Sequence, residues 1–234
     1  MKVSIQGSLM EGRFIKRINR FLAEIEIDGK SYHAHVPNTG RMKEFLQPGA
    51  RIIVRQVIQE HRKTIFDLLM VYENDVLINI DSKLPNILLE MAFKRDDIKF
   101  FRGFNNVRKE IKYGKSRFDL AVTNGEQLAF IEAKCVTYVE DDQTALFPDA
   151  PTDRGRKHVL ELIEALNEGI RAAVFFIIQR EDALRFTPNY VRDPLFSKAV
   201  EQAHKAGVEF YALNCIVTPH DILLNEVLPV LINA

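Results

Sequence analysis

The chain has 234 residues, 32 Lys+Arg against 32 Asp+Glu, and a formal net charge of zero. Hydrophobic residues at 47% and charged residues at 27% support a packed core and exclude wholesale disorder, and the length suits one large domain or two small ones. No apolar run approaches the ~20 residues of a membrane span and the N-terminal stretch lacks an apolar secretion core, so the expectation is a cytoplasmic protein with no membrane partner.

The first 80 residues are β-rich. Residues 12–18 and 21–27 alternate or are rich in β-formers, and Asp28-Gly29 is a tight-turn signal before a strand over 31–36. The loop Pro37-Asn38-Thr39-Gly40 follows. Then come a short helical stretch over 41–46, the turn Pro48-Gly49, and strands over 50–58 and 64–72. Five short strands with a small helix after the third outline an OB-type barrel, which pattern alone does not separate from an SH3-like one. This part holds 12 Lys+Arg against 9 Asp+Glu, and Arg13, Lys16, Arg17 and Arg20 crowd one segment. With no overall charge excess, a nucleic-acid partner has to be held by such a local patch.

The polar, proline-bearing stretch 79–86 (NIDSKLPN) is the best boundary, dividing the chain into domains 1–80 and 81–234. Beyond it the pattern predicts a helix over 86–94 and strands over 106–113, 117–122 and 128–137. A helix over 153–168 places Val159, Leu160, Ile163 and Leu166 on one face and stops at Gly169. The unbroken apolar run 172–178 reads as a buried strand. A helix over 194–206 ends at Gly207, and a strand runs over 208–217. This order is an α/β domain with a mixed sheet. Cys135 and Cys215 make no disulfide framework and read as reduced core residues.

The strongest chemical signal is Asp119 with Glu132-Ala133-Lys134. If Thr123 pairs with Leu128, Asp119 sits opposite Glu132, and Lys134 shares that face. The other face (Phe118, Leu120, Val122, Ile131, Ala133 and Cys135) is apolar and is expected to meet the core. If Gly114-Lys115 is a two-residue turn, Tyr113 pairs with Ser116 and Glu110 lands opposite Asp119. Three carboxylates and a lysine then converge. Like charges so clustered repel unless a cation sits among them. Asp119, Glu132 and the Ala133 carbonyl, with Glu110 beside them, suit Mg²⁺ or Mn²⁺, which keep several waters and bind a phosphate oxygen. Such an ion lowers the pKa of a bound water and stabilises charge on a phosphodiester, while Lys134 orients the water or neutralises developing charge. Asp119, Glu132 and Lys134 are therefore the catalytic candidates. The bare spacing D-x12-E-x-K better fits a solvated strand face with cross-strand ion pairs; the hairpin register and the αβββαβ order reverse that preference.

The second signal is Phe147-Pro-Asp-Ala-Pro-Thr-Asp-Arg-Gly-Arg-Lys-His158. Thr152 can cap the following helix, and Arg154, Lys157 and His158 fall in its first turns, where cations and free backbone N–H groups attract phosphate. On spacing alone an ordinary capped helix with a solvated basic turn is as good a reading.

Taken with His35-Val-Pro-Asn-Thr-Gly-Arg41, Leu84-Pro-Asn86, Glu110-Ile-Lys-Tyr-Gly114, Arg117-Phe-Asp119 and Ile131-Glu-Ala-Lys134, these segments resemble the sugar fermentation stimulation protein A family over nearly the full length. The resemblance implies an N-terminal OB-like barrel and a C-terminal PD-(D/E)xK nuclease-like domain, with Asp119, Glu132 and Lys134 in the three motif positions. It also implies DNA binding and, in enteric bacteria, a role in expressing sugar-utilisation genes.

Nucleic-acid contacts are accordingly expected from Arg13, Arg17, Arg20, His35, Asn38, Arg41, Arg154, Lys157 and His158. The Arg13–Arg20 run, with Phe14 and Phe21 interleaved, suits a barrel face that tracks phosphates and stacks bases, although basic strand faces are usually just solvated. The Asn38-Thr39-Gly40-Arg41 loop suits a backbone contact, or plain turn chemistry with Gly40 at positive φ. His33 and His35 share a strand face, but no third ligand lies at a zinc-like spacing. There is no P-loop, no dinucleotide fingerprint and no nucleophile elbow. Two functions remain. One is a Mg²⁺- or Mn²⁺-dependent nuclease on DNA, single- or double-stranded, or RNA; the other is a DNA-binding regulator with little or no cleavage. A hydrolase of another phosphate ester is a weaker third.

Overall fold

In the computed structural model, which describes residues 1–233, the early alternating segments close into a barrel while the extreme N-terminus does not join it. Strand β1 (Lys2–Ser4) pairs with the last strand of the second domain, Lys2 opposite Leu223. The barrel follows: β2 (Leu9–Asn19), β3 (Leu22–Ile27), β4 (Lys30–His35), β5 (Arg51–Gln56), β6 (Phe66–Glu73) and β7 (Val76–Asn79). Parallel pairing of β4 with β6, Ala34 opposite Phe66, closes five of these strands, and β7 adds a sixth beside β6. Asp28 and Gly29 both take positive φ, +49° and +73°, the geometry of a tight hairpin whose twist matches its strands. The interior is apolar, with Phe14, Ile25, Ile52, Leu68 and Val71 among its members.

The short helix expected over 41–46 is not formed. Met42 takes a left-handed φ of +50°, which stops helix propagation, and a single bond from the Leu46 N–H to the Met42 carbonyl remains. Met42, Phe45 and Leu46 are nevertheless buried in the barrel core, so the segment plugs it without being a helix.

The second domain begins with α1 (Leu84–Lys94), which has Pro in its first turn, and a 3-10 turn at Lys99–Phe101. Strands β8 (Asn106–Tyr113), β9 (Ser116–Thr123) and β10 (Leu128–Val136) form the predicted meander. A small sheet missed by the sequence reading comes next: β11 (Tyr138–Val139) and β12 (Thr144–Phe147), later joined by β14 (Arg185–Pro188). Helix α2 (Asp153–Asn167) leads to β13 (Arg171–Ile178), and α3 (Pro194–Ala206) follows β14. Strand β15 (Glu209–Val217) and the unpredicted β16 (Asp221–Leu228) complete the chain. The large sheet is mixed, in the order β1-β16-β15-β13-β10-β9-β8, with β13 parallel to both β10 and β15. Helix α1 and the barrel residues Ile53, Leu69, Met70 and Leu77 cover one face; α2 and α3 cover the other. Burial on both faces is why β13 is apolar throughout. No helix among the described residues is long and apolar enough to cross a membrane. Both cysteines are free thiols, Cys215 buried and Cys135 half-buried.

Candidate active site

The hairpin register is the one the sequence predicts: Thr123 faces Leu128 and Tyr113 faces Ser116. The β9–β10 ladder runs to the Leu120–Ile131 pair and then gives way at Asp119. There the Asp119 side chain takes over, its Oδ2 accepting from the Ala133 N–H at 2.8 Å. Its Oδ1 accepts from Asn86 Nδ2, at the first turn of α1, at 2.7 Å. Burial foremost, then the nearby Glu132 charge, pushes the Asp119 carboxyl up to about 6, against the two hydrogen bonds and Lys134.

One strand over, Glu132 Oε1 accepts from Lys134 Nζ at 2.5 Å and lies 2.6 Å from His158 Nδ1. Glu132 is 3% exposed and Lys134 9%. Burial opposes the Glu132 charge, but Lys134 and His158 together hold its carboxyl below the ordinary value. On α2 the Arg154 Nε lies 3.4 Å from His158 Nε2 as donor to acceptor, an arrangement that assigns the imidazole proton to Nδ1, facing Glu132. Thr152 caps α2 as expected, accepting from the Gly155 N–H at 3.0 Å. The Thr152 N–H in turn donates to Asp193, which caps α3.

Glu110 departs from this cluster. It takes a φ of +57°, and the β8–β9 pairing skips the Glu110–Asp119 position. The local turn of the backbone swaps faces: Val107, Leu120 and Val122 belong to the core beneath α1, whereas Ile111 and Phe118 belong to the core beneath α2. Phe118 therefore does not share a face with Leu120 and Val122, and the expected single apolar face is divided. The Glu110 side chain is exposed and pairs with Arg117 at 3.3 Å, outside the cleft that Asp119 and Glu132 line.

That cleft, of about 1120 Å³, has a sheet wall and a barrel wall. Asp119, Glu132 and Lys134 come from the first, with Arg154 of α2 beside them; Arg17, Arg20, Asn38 and Arg41 come from the second. Three residues not singled out for the site also line it: Lys16, Lys43 and Asn86. The first two are basic residues among the barrel cations, a signal that was available; Asn86 sits in a family segment but gives no chemical signal alone. Arg13 is elsewhere, donating to the Gly49 carbonyl at 3.0 Å, and His35 Nδ1 lies 3.2 Å from the Phe21 carbonyl. Lys157 and His158 line a neighbouring hollow. Phe14 is a barrel core residue, 3% exposed, and so is not available for base stacking; Phe21 is 54% exposed at the β2–β3 turn.

Arg17 and Asn38 hold the barrel wall together. The Arg17 guanidinium donates to the carbonyls of Asn19, Arg20 and Asn38 at 3.0, 2.5 and 2.7 Å. Asn38 donates to the Ile80 carbonyl and accepts from the Gly40 N–H. Gly40 is not at positive φ; a Cβ there would lie 2.7 Å from Asp149 Oδ2, so its need is space. Asp149 Oδ2 also accepts from the Arg41 N–H at 3.0 Å, tying the barrel loop to the segment before α2.

The donors fit a hard divalent cation. Among the described residues no group of three or more His, Cys, Asp or Glu side chains is spaced to hold a metal, His33 and His35 included. Two carboxylates and a backbone carbonyl, at Asp119, Glu132 and Ala133, are nevertheless the small protein share that an ion retaining most of its waters takes. Glu132 Oε2 is buried without a hydrogen-bond partner, an oxygen that such an ion would satisfy.

Residues 15–80 match the family model described as the SfsA N-terminal OB domain, and residues 83–221 match that of the sugar fermentation stimulation protein RE domain. The chain belongs to the sugar fermentation stimulation protein A family. Among its SfsA relatives, a sugar fermentation stimulation protein homolog of Alkaliphilus metalliredigens is 55% identical over 98% of this chain and all of its own. A homolog from Clostridium tetani is 44% identical over 97% and 99%. The structure of Pyrococcus furiosus SfsA in complex with Ca²⁺ superposes with a TM-score of 0.91 at 28% identity, covering 99% of this chain and all of that one.

Proposed function

We propose that this SfsA protein is a Mg²⁺- or Mn²⁺-dependent nuclease that hydrolyses phosphodiester bonds in nucleic acid held across the cleft. The observation that carries the reading is the pair Asp119 and Glu132 lining one basic cleft, with Lys134 bonded to Glu132 and Glu132 Oε2 buried and unpartnered. Asp119, Glu132 and the Ala133 carbonyl would hold the ion, which would supply an acidified water and charge neutralisation at the phosphate. Lys134 and His158 keep Glu132 anionic and fixed. Lys134 also brings an ammonium into the same cleft, able to neutralise charge that develops on a phosphodiester there. The Pyrococcus furiosus protein, as a complex with Ca²⁺, supports a divalent-cation site in this fold. Arg20, Arg41, Lys16 and Lys43 on the barrel wall hold the backbone of DNA or RNA.

The test is cleavage of labelled single- and double-stranded DNA across a Mg²⁺ and Mn²⁺ titration. Wild type should cut only with metal, and Asp119→Ala or Glu132→Ala should lower the rate by about 10³-fold. Undiminished cleavage by both variants removes the reading.

A second reading, a DNA-binding regulator of sugar-utilisation genes without turnover, is favoured by one feature. Both Asp119 oxygens and Glu132 Oε1 already have hydrogen-bond partners within the protein. Steeply salt-dependent binding with no cleavage under any metal would select it.

A further inference from the structure

A second hollow, of about 610 Å³, adjoins the cleft and shares Arg154 with it. Its walls are the β8–β9 hairpin and the first turns of α2, and His158 stands in its lining while bonding to Glu132 in the cleft. The hairpin contributes Lys112, Lys115 and Arg117, and α2 contributes Arg154 and Lys157. Three carboxylates oppose these cations, Glu110, Asp153 and Glu161; Glu110 pairs with Arg117 at 3.3 Å and Asp153 with Arg156 at 3.5 Å. Lys157 Nζ donates to the Lys115 carbonyl at 2.8 Å and lies 3.7 Å from Glu161. The ammonium groups of Lys112 and Lys115 have no ion pair or hydrogen bond among the described residues.

The same hollow is lined by Ser116, only 7% exposed, whose Oγ is buried without a partner. A lone buried hydroxyl is costly and is normally satisfied by something. Excess positive charge around an unpaired hydroxyl donor is the chemistry of an oxyanion site. We propose that this hollow is a phosphate-binding subsite that takes a nucleic-acid phosphate outside the scissile position. The nucleic-acid part rests on the nuclease reading above; the affinity for an oxyanion does not. A backbone phosphate and a free terminal phosphate present the same chemistry here.

The experiment uses the full chain in EDTA, which removes the divalent cation that cleavage requires in the nuclease reading. Inorganic phosphate is titrated against wild type, Ser116→Ala and the Lys112→Ala/Lys115→Ala double variant, read by amide chemical shifts. The same proteins are titrated with a short labelled oligonucleotide bearing a 5′-hydroxyl or a 5′-phosphate. Phosphate should shift the 112–117 amides of wild type, and each variant should bind it on the order of tenfold more weakly. Ser116→Ala should melt no lower than wild type, since its Oγ makes no bond to lose. In the double variant the salt slope of oligonucleotide binding should fall by about 1 to 2. Equal weakening for both oligonucleotides assigns the hollow to a backbone phosphate; loss of a preference for the 5′-phosphate assigns it to a chain end. Folded variants that bind phosphate and oligonucleotide like wild type overturn the subsite and leave the nuclease reading intact. Phosphate bound in the hollow of a protein that binds no oligonucleotide does the reverse. Phosphate shifts confined to other regions, or none, overturn the subsite.

Discussion

On the sheet wall of the cleft, Glu132 and Lys134 are buried and bonded to each other, and Asp119 is fixed by α1 and the β10 backbone. On the barrel wall, Arg20, Arg41 and Lys43 stand exposed around loops, and Lys16 stands exposed on β2, paired with Glu24 at 3.1 Å. The buried charges act at close quarters, where a partner's removal is felt strongly. The exposed ones are screened and contribute chiefly a field that attracts phosphate. The contrast teaches that, in the nuclease reading, orienting the reacting groups would fall to buried side chains of paired strands and attracting a polyanion to exposed cations of the barrel surface.

The sharpest way to break the contrast is Lys134→Ala. It leaves the Glu132 carboxylate buried, with Oε2 unpartnered and His158 alone on Oε1. Removing one member of a buried pair costs about 3–5 kcal/mol. Urea unfolding at neutral pH should show that loss, and saturating Mg²⁺ or Mn²⁺ should restore part of it by occupying the freed carboxylate. A loss below about 1 kcal/mol would place Lys134 in the same class as an exposed surface pair.

Within the sheet wall the two carboxylates titrate in opposite senses. Asp119 is raised from 3.8 to about 6, chiefly by burial, so its protonated form is favoured in the folded chain. Its stabilising contribution is present below pH 3.8 and lost as pH rises through about 6. A shift of that size corresponds to about 3 kcal/mol. Glu132 is lowered, so its contribution is present above its ordinary value and lost as pH falls below it. The stability difference between wild type and Asp119→Ala, followed from about pH 4 to 7 in EDTA, should therefore shrink by up to that amount as pH rises. A divalent cation should flatten the profile, because it favours the ionised carboxylate. A difference independent of pH would mean that folding does not shift the Asp119 carboxyl from its ordinary value.

Much of the sheet wall was legible from residue order. The Thr123–Leu128 and Tyr113–Ser116 pairs follow from loop length, and they carry Asp119 and Glu132 to one cleft. What failed was the face assignment. A period of two assumes an unbroken ladder, and the positive φ at Glu110 turns the strands, sending Phe118 to the α2 side and Glu110 out of the cleft. No residue type announces that turn, since glutamate is not a left-handed former. The barrel was legible as strands, yet Phe14 was placed on the wrong side. The register of β2 against β3 shifts between Phe14 and Lys16 and again between Arg17 and Asn19. The short strands β1 and β12 are fixed by pairing with the distant β16 and β14, which local pattern does not carry, and β11 joins the sheet only through β12.

The smallest effect tests whether the barrel wall itself divides. Arg17 and Arg20 are three residues apart and both line the cleft, but they are engaged differently. Arg17 donates to three carbonyls that brace the β2–β3 turn and the Asn38 loop. Arg20 is exposed, with no side-chain partner among the described residues. Arg17→Ala should cost roughly 1–3 kcal/mol in thermal or urea unfolding, through the carbonyls it leaves unmet. Arg20→Ala should stay within about 0.5 kcal/mol of wild type. For oligonucleotide binding, Arg20→Ala should lower the salt slope by about 1 with a uniform loss across sequences, the mark of a phosphate contact. If Arg20→Ala leaves the slope unchanged while Arg17→Ala lowers it without destabilising the fold, the division is reversed, and the braced guanidinium of Arg17 is the one that meets the phosphate.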